Sequence, residues 1–238
     1  MLGWIRFAYR LLWFIVSAFL LLVPMLILAK FLGATMKFRH GLFKTWRAVF
    51  LAAMGIEVRV LEGSAPTEAA ILMGNHRSYA DILFVFSATP TIFLGKAEVK
   101  KWPIIGWAAQ AVDAVFVQRQ DKESRRAARK ALGDRIQQGM SPVVFPEGTT
   151  TASGLLPFNP GMFYTAAEMD LPIVPFVLQY SDPGMAWVGE EKFVPHVLRM
   201  MRRPAWHVTV KIGPPMKGSE GETLLHEVRS WMEQRVHA

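Results

Sequence analysis

Residues 11–29 read LLWFIVSAFLLLVPMLILA, a run with no charged side chain. Wound as a helix, the run spans about 28 Å, close to the hydrocarbon thickness of a bilayer. Arg6 and Arg10 precede it, and Lys30, Lys37, Arg39, Lys44 and Arg47 follow. The heavier positive flank is carboxy-terminal, which predicts a cytoplasmic position for what comes after. Pro24 would kink the helix, so a hairpin re-entering one leaflet and a full span both fit. A cleaved signal peptide fits less well, because the run is long and basic residues, not a small-x-small site, follow it. Residues 38–54 then mix cations with Phe, Leu and Trp. As an interfacial helix they would bring Leu42, Trp46, Val49 and Phe50 together and turn Arg39, Lys44 and Arg47 toward headgroups. A helix packed on the rest of the protein is the alternative.

From Ile56 the pattern changes to short β-branched and aromatic runs at residues 56–61, 69–73, 91–94, 114–117, 142–145, 173–179 and 206–212. Between them lie helical patterns at residues 79–87, 100–110, 121–138, 162–169 and 222–237. Strand–helix alternation predicts an α/β fold: a mostly parallel or mixed sheet of about seven strands flanked by helices, behind an amino-terminal membrane-associated helical hairpin. Two units follow, residues 1–54 and residues 55–238. The Met-, Trp- and Pro-rich segment 181–203 reads as a loop or edge structure, placed where it could cover an acyl site.

Composition narrows the partners. The hydrophobic fraction is 52%, and 27 basic against 19 acidic residues leave a net charge of +8. Such a surplus attracts anionic lipid or phosphorylated substrates. With no zinc-finger, RNP-type or basic-zipper pattern, nucleic acid is not expected. The chain has no cysteine, which removes disulfides, cysteine catalysis and thiolate metal sites.

Two stretches carry chemistry. NHRSYAD (75–81) puts His76 five positions before Asp81, just after an apolar run. Five residues turn about 140° on a helix, so the pair cannot share a helical face. It fits a strand-to-helix turn in which the carboxylate folds back on the imidazole, fixes its tautomer and leaves the other nitrogen as a base. Asn75 is suited to hold such a turn through its amide. FPEGTTT (145–151) ends another apolar run with Phe145, Pro146, Glu147 and Gly148, followed by Thr149, Thr150 and Thr151. FVQR (116–119) ends a further strand at Arg119, and VPFV (174–177) is a buried run interrupted by Pro175. Parallel strands deliver such ends to one edge of a sheet.

These four blocks, in this order, resemble the glycerolipid acyltransferase superfamily, of the 1-acylglycerol-3-phosphate acyltransferase type, over about residues 56–180. The resemblance implies that His76 is the general base, Asp81 its orienting partner, and that Arg119, Glu147 and Gly148 bind the acceptor's polar head, with Thr149 beside them. The stretch GKAEVKKWPIIG (95–106) adds Lys96 as a phosphate contact, though a solvated helix start also explains it. Asn75, Phe145, Pro146 and Pro175 then shape the motifs. The implied reaction moves an acyl group from acyl-CoA or an acyl carrier protein to a lysolipid hydroxyl in the cytoplasmic membrane, with no cofactor. Thioesters are already activated, so no metal is expected. No Gly-x-Ser-x-Gly elbow is present for an acyl-enzyme.

Departures bear on the acceptor. Thr150 stands where lysophosphatidic acid enzymes commonly carry arginine, Asp113 where glycine is frequent and Gln118 where aspartate is frequent. 1-Acyl-sn-glycerol 3-phosphate is the first expectation, with lyso-ornithine lipid or another lysolipid as alternatives. A catalytically silent lipid-binding or scaffolding protein, and a thioesterase using the same base on water, are the rivals from other classes. Arg125, Arg126, Arg129 and Lys130 form a basic helical side suited to a carrier protein or coenzyme A, or simply to solvent. His40, His196, His207, His226 and His237 are expected at the surface or in packing.

Overall fold

The computed structural model describes residues 1–238 except 32, 34, 86, 103, 104, 119, 237 and 238. Arg119 and His237 therefore lie outside the described residues. Seven strands form one sheet: β1 Ile56–Glu62, β2 Ile71–Gly74, β3 Thr91–Lys96, β4 Val115–Val117, β5 Ser141–Val144, β6 Ile173–Tyr180 and β7 Trp206–Ile212. Their order is β1-β7-β6-β2-β5-β3-β4, with β6/β7 antiparallel and every other pairing parallel. The mixed α/β sheet expected from the strand pattern is the architecture found.

Alternation along each strand splits the core in two. Leu72, Val143, Phe176 and Leu178 face an amino-terminal helical layer, whereas Ile71, Met73, Val144 and Val177 face the opposite side. The first layer comprises α1 Leu2–Ser17, α2 Val23–Phe31 and α3 Met36–Met54, and α4 Ile105–Ala111 packs on α2. The second comprises α5 Lys122–Gln137, α6 Gly161–Glu168 and α8 Gly221–Val236. A helix α7, Phe193–Arg202, packs on α1.

Pro24 does not break the first helical segment. A π-helical turn at Ala18–Leu22 precedes it, opening the ladder where the proline ring would otherwise meet the carbonyl four residues back. The stretch Leu2–Met25 is thus a 24-residue helix, long and apolar enough to cross a bilayer. Leu2, Trp4, Ile5, Leu12, Phe19 and Leu20 are exposed along it. Arg10 is buried and donates to the carbonyls of Met201, Arg203 and Pro204, satisfying the free end of α7.

The cations of α3 correct the interfacial reading. Arg47 is buried and donates to the Val85 carbonyl at 2.6 Å, Lys44 reaches the Ala88 carbonyl at 3.2 Å, and Arg39 pairs with Asp113 at 3.0 Å. Trp46 and Phe50 are buried but Val49 is exposed, so α3 is a packed helix pinned to the body. Asp113 adopts φ 54, in the left-handed region that favours glycine, while its carboxylate holds Arg39.

Two further expectations change. Among the described residues of 79–87 there is a 3-10 turn, Tyr79–Leu83, in place of a helix, and the segment 181–203 is a 3-10 turn, Pro183–Met185, followed by α7. Pro195 disguised α7, but in a first turn its missing N–H has no helical partner to lose.

Candidate active site

β2, β5, β3, β4 and β6 all run the same way, so their carboxy-terminal ends share one edge. His76 follows β2, Phe145–Glu147 follow β5, and Tyr180 ends β6. Gly74, the last residue of β2, has no room for a Cβ, which would lie 2.1 Å from the Phe176 ring. Beyond it the Asn75 side chain continues the ladder: its Nδ2 donates to the Leu178 carbonyl at 2.9 Å and its Oδ1 accepts the Leu178 N–H at 2.7 Å.

The chain then turns and Asp81 folds back. Ser78 caps the 3-10 turn, its hydroxyl accepting from Ala80 N. Asp81 is fully buried, and its Oδ2 lies 2.7 Å from His76 Nδ1 while accepting the backbone N–H groups of Arg77 (2.6 Å) and Ser78 (2.9 Å). Its Oδ1 accepts the Tyr180 hydroxyl. The imidazole is stacked on Phe145, with centroids 4.1 Å apart and planes at 10°. Its side chain keeps 18% exposure, so Nδ1 is held and Nε2 is the nitrogen left for a reacting group.

Glu147 serves the backbone here. Oε1 accepts the His76 N–H at 2.8 Å and Oε2 accepts the Leu156 N–H at 2.8 Å. Burial pushes this carboxyl above its ordinary range, opposed by the two backbone donors and by Arg77 and His76. Gly148 has φ +71, and a Cβ there would lie 2.8 Å from Asn159 Nδ2, so the turn requires glycine. Asn159 itself donates to the Pro146 carbonyl at 2.9 Å. Thr149 is exposed, as is Lys96 at the end of β3. Pro175 sits opposite Met73 within β6; its missing N–H falls in the gap between the β7 ladder, which ends at Ile212, and the Ile173–Met216 bridge.

Two residues with no assigned role in the sequence bind the blocks together. Arg77 is buried; its guanidinium donates to the carbonyls of Thr151 (3.2 Å) and Gly154 (2.9 Å), and its carbonyl accepts Trp187 N at 2.8 Å. Tyr180 lies on the same face of β6 as Phe176 and Leu178, a period-2 signal that could have marked it. Thr150 donates to the Trp187 carbonyl, so its hydroxyl faces the 187 loop. His196, expected at the surface or in packing, is buried with Nδ1 3.0 Å from the Tyr79 hydroxyl.

A cavity of about 530 Å³ is lined in part by Tyr79, Ala80, Ile82 and Leu83, which lie next to Asp81 in sequence. Phe14, Phe43, Trp46, Phe50, Phe93, Val112 and Leu198 are among its walls, which are apolar apart from Arg10 and Tyr79. No group of three or more His, Cys, Asp or Glu side chains suited to a metal occurs among the described residues.

Residues 55–179 match the model of a family described as Acyltransferase. The chain belongs to this family. It is 30% identical over 199 residues to the lyso-ornithine lipid O-acyltransferase of Pseudomonas aeruginosa, covering 80% of this chain and 76% of that protein. With the protein of the same name from Rhizobium meliloti, identity is 31% over 232 residues, 90% of this chain and 78% of the relative. With the chloroplastic 1-acyl-sn-glycerol-3-phosphate acyltransferase LPAT1 of Arabidopsis thaliana it is 30% over 198 residues, 82% of this chain but 53% of that one. The crystal structure of the LPA acyltransferase PlsC from Thermotoga maritima shares the fold, with a TM-score of 0.73 at 20% identity, over 99% of this chain and 95% of that one. The acyltransferase therefore has the fold and the family of lysolipid O-acyltransferases.

Proposed function

We propose that this acyltransferase is membrane-bound and moves a fatty acyl group from an acyl thioester, acyl-CoA or acyl carrier protein, to the hydroxyl of a lysolipid, with His76 as general base. The observation that carries this is the His76–Asp81 pair at 2.7 Å, with Nδ1 occupied, beside an apolar cavity that Tyr79 and Ala80 help to line. Nε2 takes the proton of the acceptor hydroxyl as its oxygen attacks the thioester carbonyl. The carbon–sulfur bond breaks, the departing thiolate takes the proton back from the imidazolium, and Asp81 stabilises the cation between the two transfers. The acyl chain occupies the cavity, which has the size and lining of an apolar ligand site. Glu147 acts by holding the turn that carries His76 and Gly148 by shaping the loop after β5, while Lys96, Arg119 and Thr149 remain the proposed contacts for the acceptor's head. The exposed apolar side of the Leu2–Met25 helix sits in the cytoplasmic membrane, with the catalytic body on the cytoplasmic face.

For the acceptor, lyso-ornithine lipid now comes ahead of 1-acyl-sn-glycerol 3-phosphate. Thr150 replaces a common phosphate-binding arginine, and the relatives named for lyso-ornithine lipid are matched over more of their own length. Purified protein in lipid nanodiscs, given each lysolipid with acyl-CoA or acyl carrier donors, tests the reading by mass spectrometry. Diacylated product with lyso-ornithine lipid supports it. Product from 1-acyl-sn-glycerol 3-phosphate alone reverses the order of acceptors, and free fatty acid without any acceptor dependence makes the protein a thioesterase.

A further inference from the structure

Tyr180 stands at the end of β6, and its hydroxyl donates to the one carboxylate oxygen of Asp81 that the imidazole does not use. The other oxygen already takes three donors: His76 Nδ1, Arg77 N and Ser78 N. The phenol ring is fixed independently by edge-on packing against Phe84, with centroids 5.9 Å apart at 84°. The ring contact with Phe84 is thus a second constraint on where the hydroxyl points.

We propose that Tyr180 is a positioning residue that sets the basicity of His76 through Asp81, an inference that rests on His76 being the general base. A donor on Oδ1 draws negative charge away from Oδ2 and makes it a weaker partner for an imidazolium. It also holds the carboxylate against rotation about its broad terminal torsion. Tyr180 thus makes Asp81 a weaker partner for the His76 imidazolium than it would be with Oδ1 free. The other ionisable groups facing this pair are Glu147, which binds the His76 backbone, Arg77 and Tyr79. Burial and the Asp81 charge push the Tyr180 phenol well above its ordinary range, so it stays a donor throughout the working pH range.

The test is Tyr180→Phe, which keeps the ring and removes the donor. The acidic limb of kcat/KM is expected to move up by about half a pH unit to one unit, with kcat on the plateau falling several-fold. The His76 ring, followed by NMR in 15N-histidine-labelled protein and assigned with His76→Gln, should show the same upward shift. Site-specific 3-fluorotyrosine at position 180, a stronger donor, should move both in the opposite direction. An unchanged limb and unchanged His76 titration in both variants, with only a lower melting temperature in Tyr180→Phe, would overturn the proposal. A shifted His76 titration with an unshifted activity limb would uphold the coupling and instead overturn His76 as the base.

Discussion

Glu147 accepts the backbone N–H of His76 at 2.8 Å, joining two sequence blocks 71 positions apart through the main chain of the base itself. The same carboxylate holds Leu156 N, so one buried side chain sets both the His76 turn and the loop after Gly148. Hydrogen bonds to an ionised carboxylate are shorter and stronger than those between neutral groups.

Glu147→Gln tests this link. The amide keeps one acceptor oxygen but presents an NH2 group to the second backbone donor. Stability is expected to fall by about 1–3 kcal/mol, the penalty for an unsatisfied buried group. Turnover should fall at least tenfold through misplacement of His76, with little change in lysolipid affinity, because the carboxylate faces backbone. Thermal melts and steady-state kinetics check both. A large rise in KM with kcat intact would return Glu147 to the acceptor's head.

The apolar cavity predicts a donor-selective variant. Val112 is 2% exposed and lines the cavity wall. Val112→Phe adds bulk inside it, so long-chain acyl-CoA should lose at least tenfold in kcat/KM while short-chain donors keep most of theirs. Competition between donors of different length, read by mass spectrometry, gives the ratio directly.

His196 gives a pH prediction. It is fully buried between the Tyr79 hydroxyl and the Ala186 carbonyl, and burial lowers its pKa from the ordinary 6.5. A folded pKa below the unfolded one means that the unfolded chain takes up the proton first. Stability from this group is therefore present above pH 6.5 and is lost as pH falls from there through the lowered folded value. His196→Gln should flatten the fall in melting temperature as pH drops below 6.5, relative to wild type.

Much of this was legible along the chain, and for identifiable reasons. Seven short strands and the fold-back of Asp81 follow from local pattern and from the geometry of a five-residue spacing. The inward turn of Arg39, Lys44 and Arg47 was not legible, because their partners are the Asp113 side chain and the carbonyls of Ala88 and Val85, far off in sequence. Helix α7 was hidden by Pro195 in its first turn and by the Met- and Trp-rich stretch before it. For Tyr180 the period-2 pattern of β6 marks an inward position, but its contact with Asp81 appears only when β6 is laid beside β2.

The most direct test of the central claim is product formation by His76→Ala. Purified wild type and variant are given a lysolipid and acyl-CoA, diacylated lipid is measured by mass spectrometry, and folding is compared by circular dichroism. His76 as general base predicts a folded variant whose rate falls by at least two to four orders of magnitude. Diacylated product at an undiminished rate would contradict it.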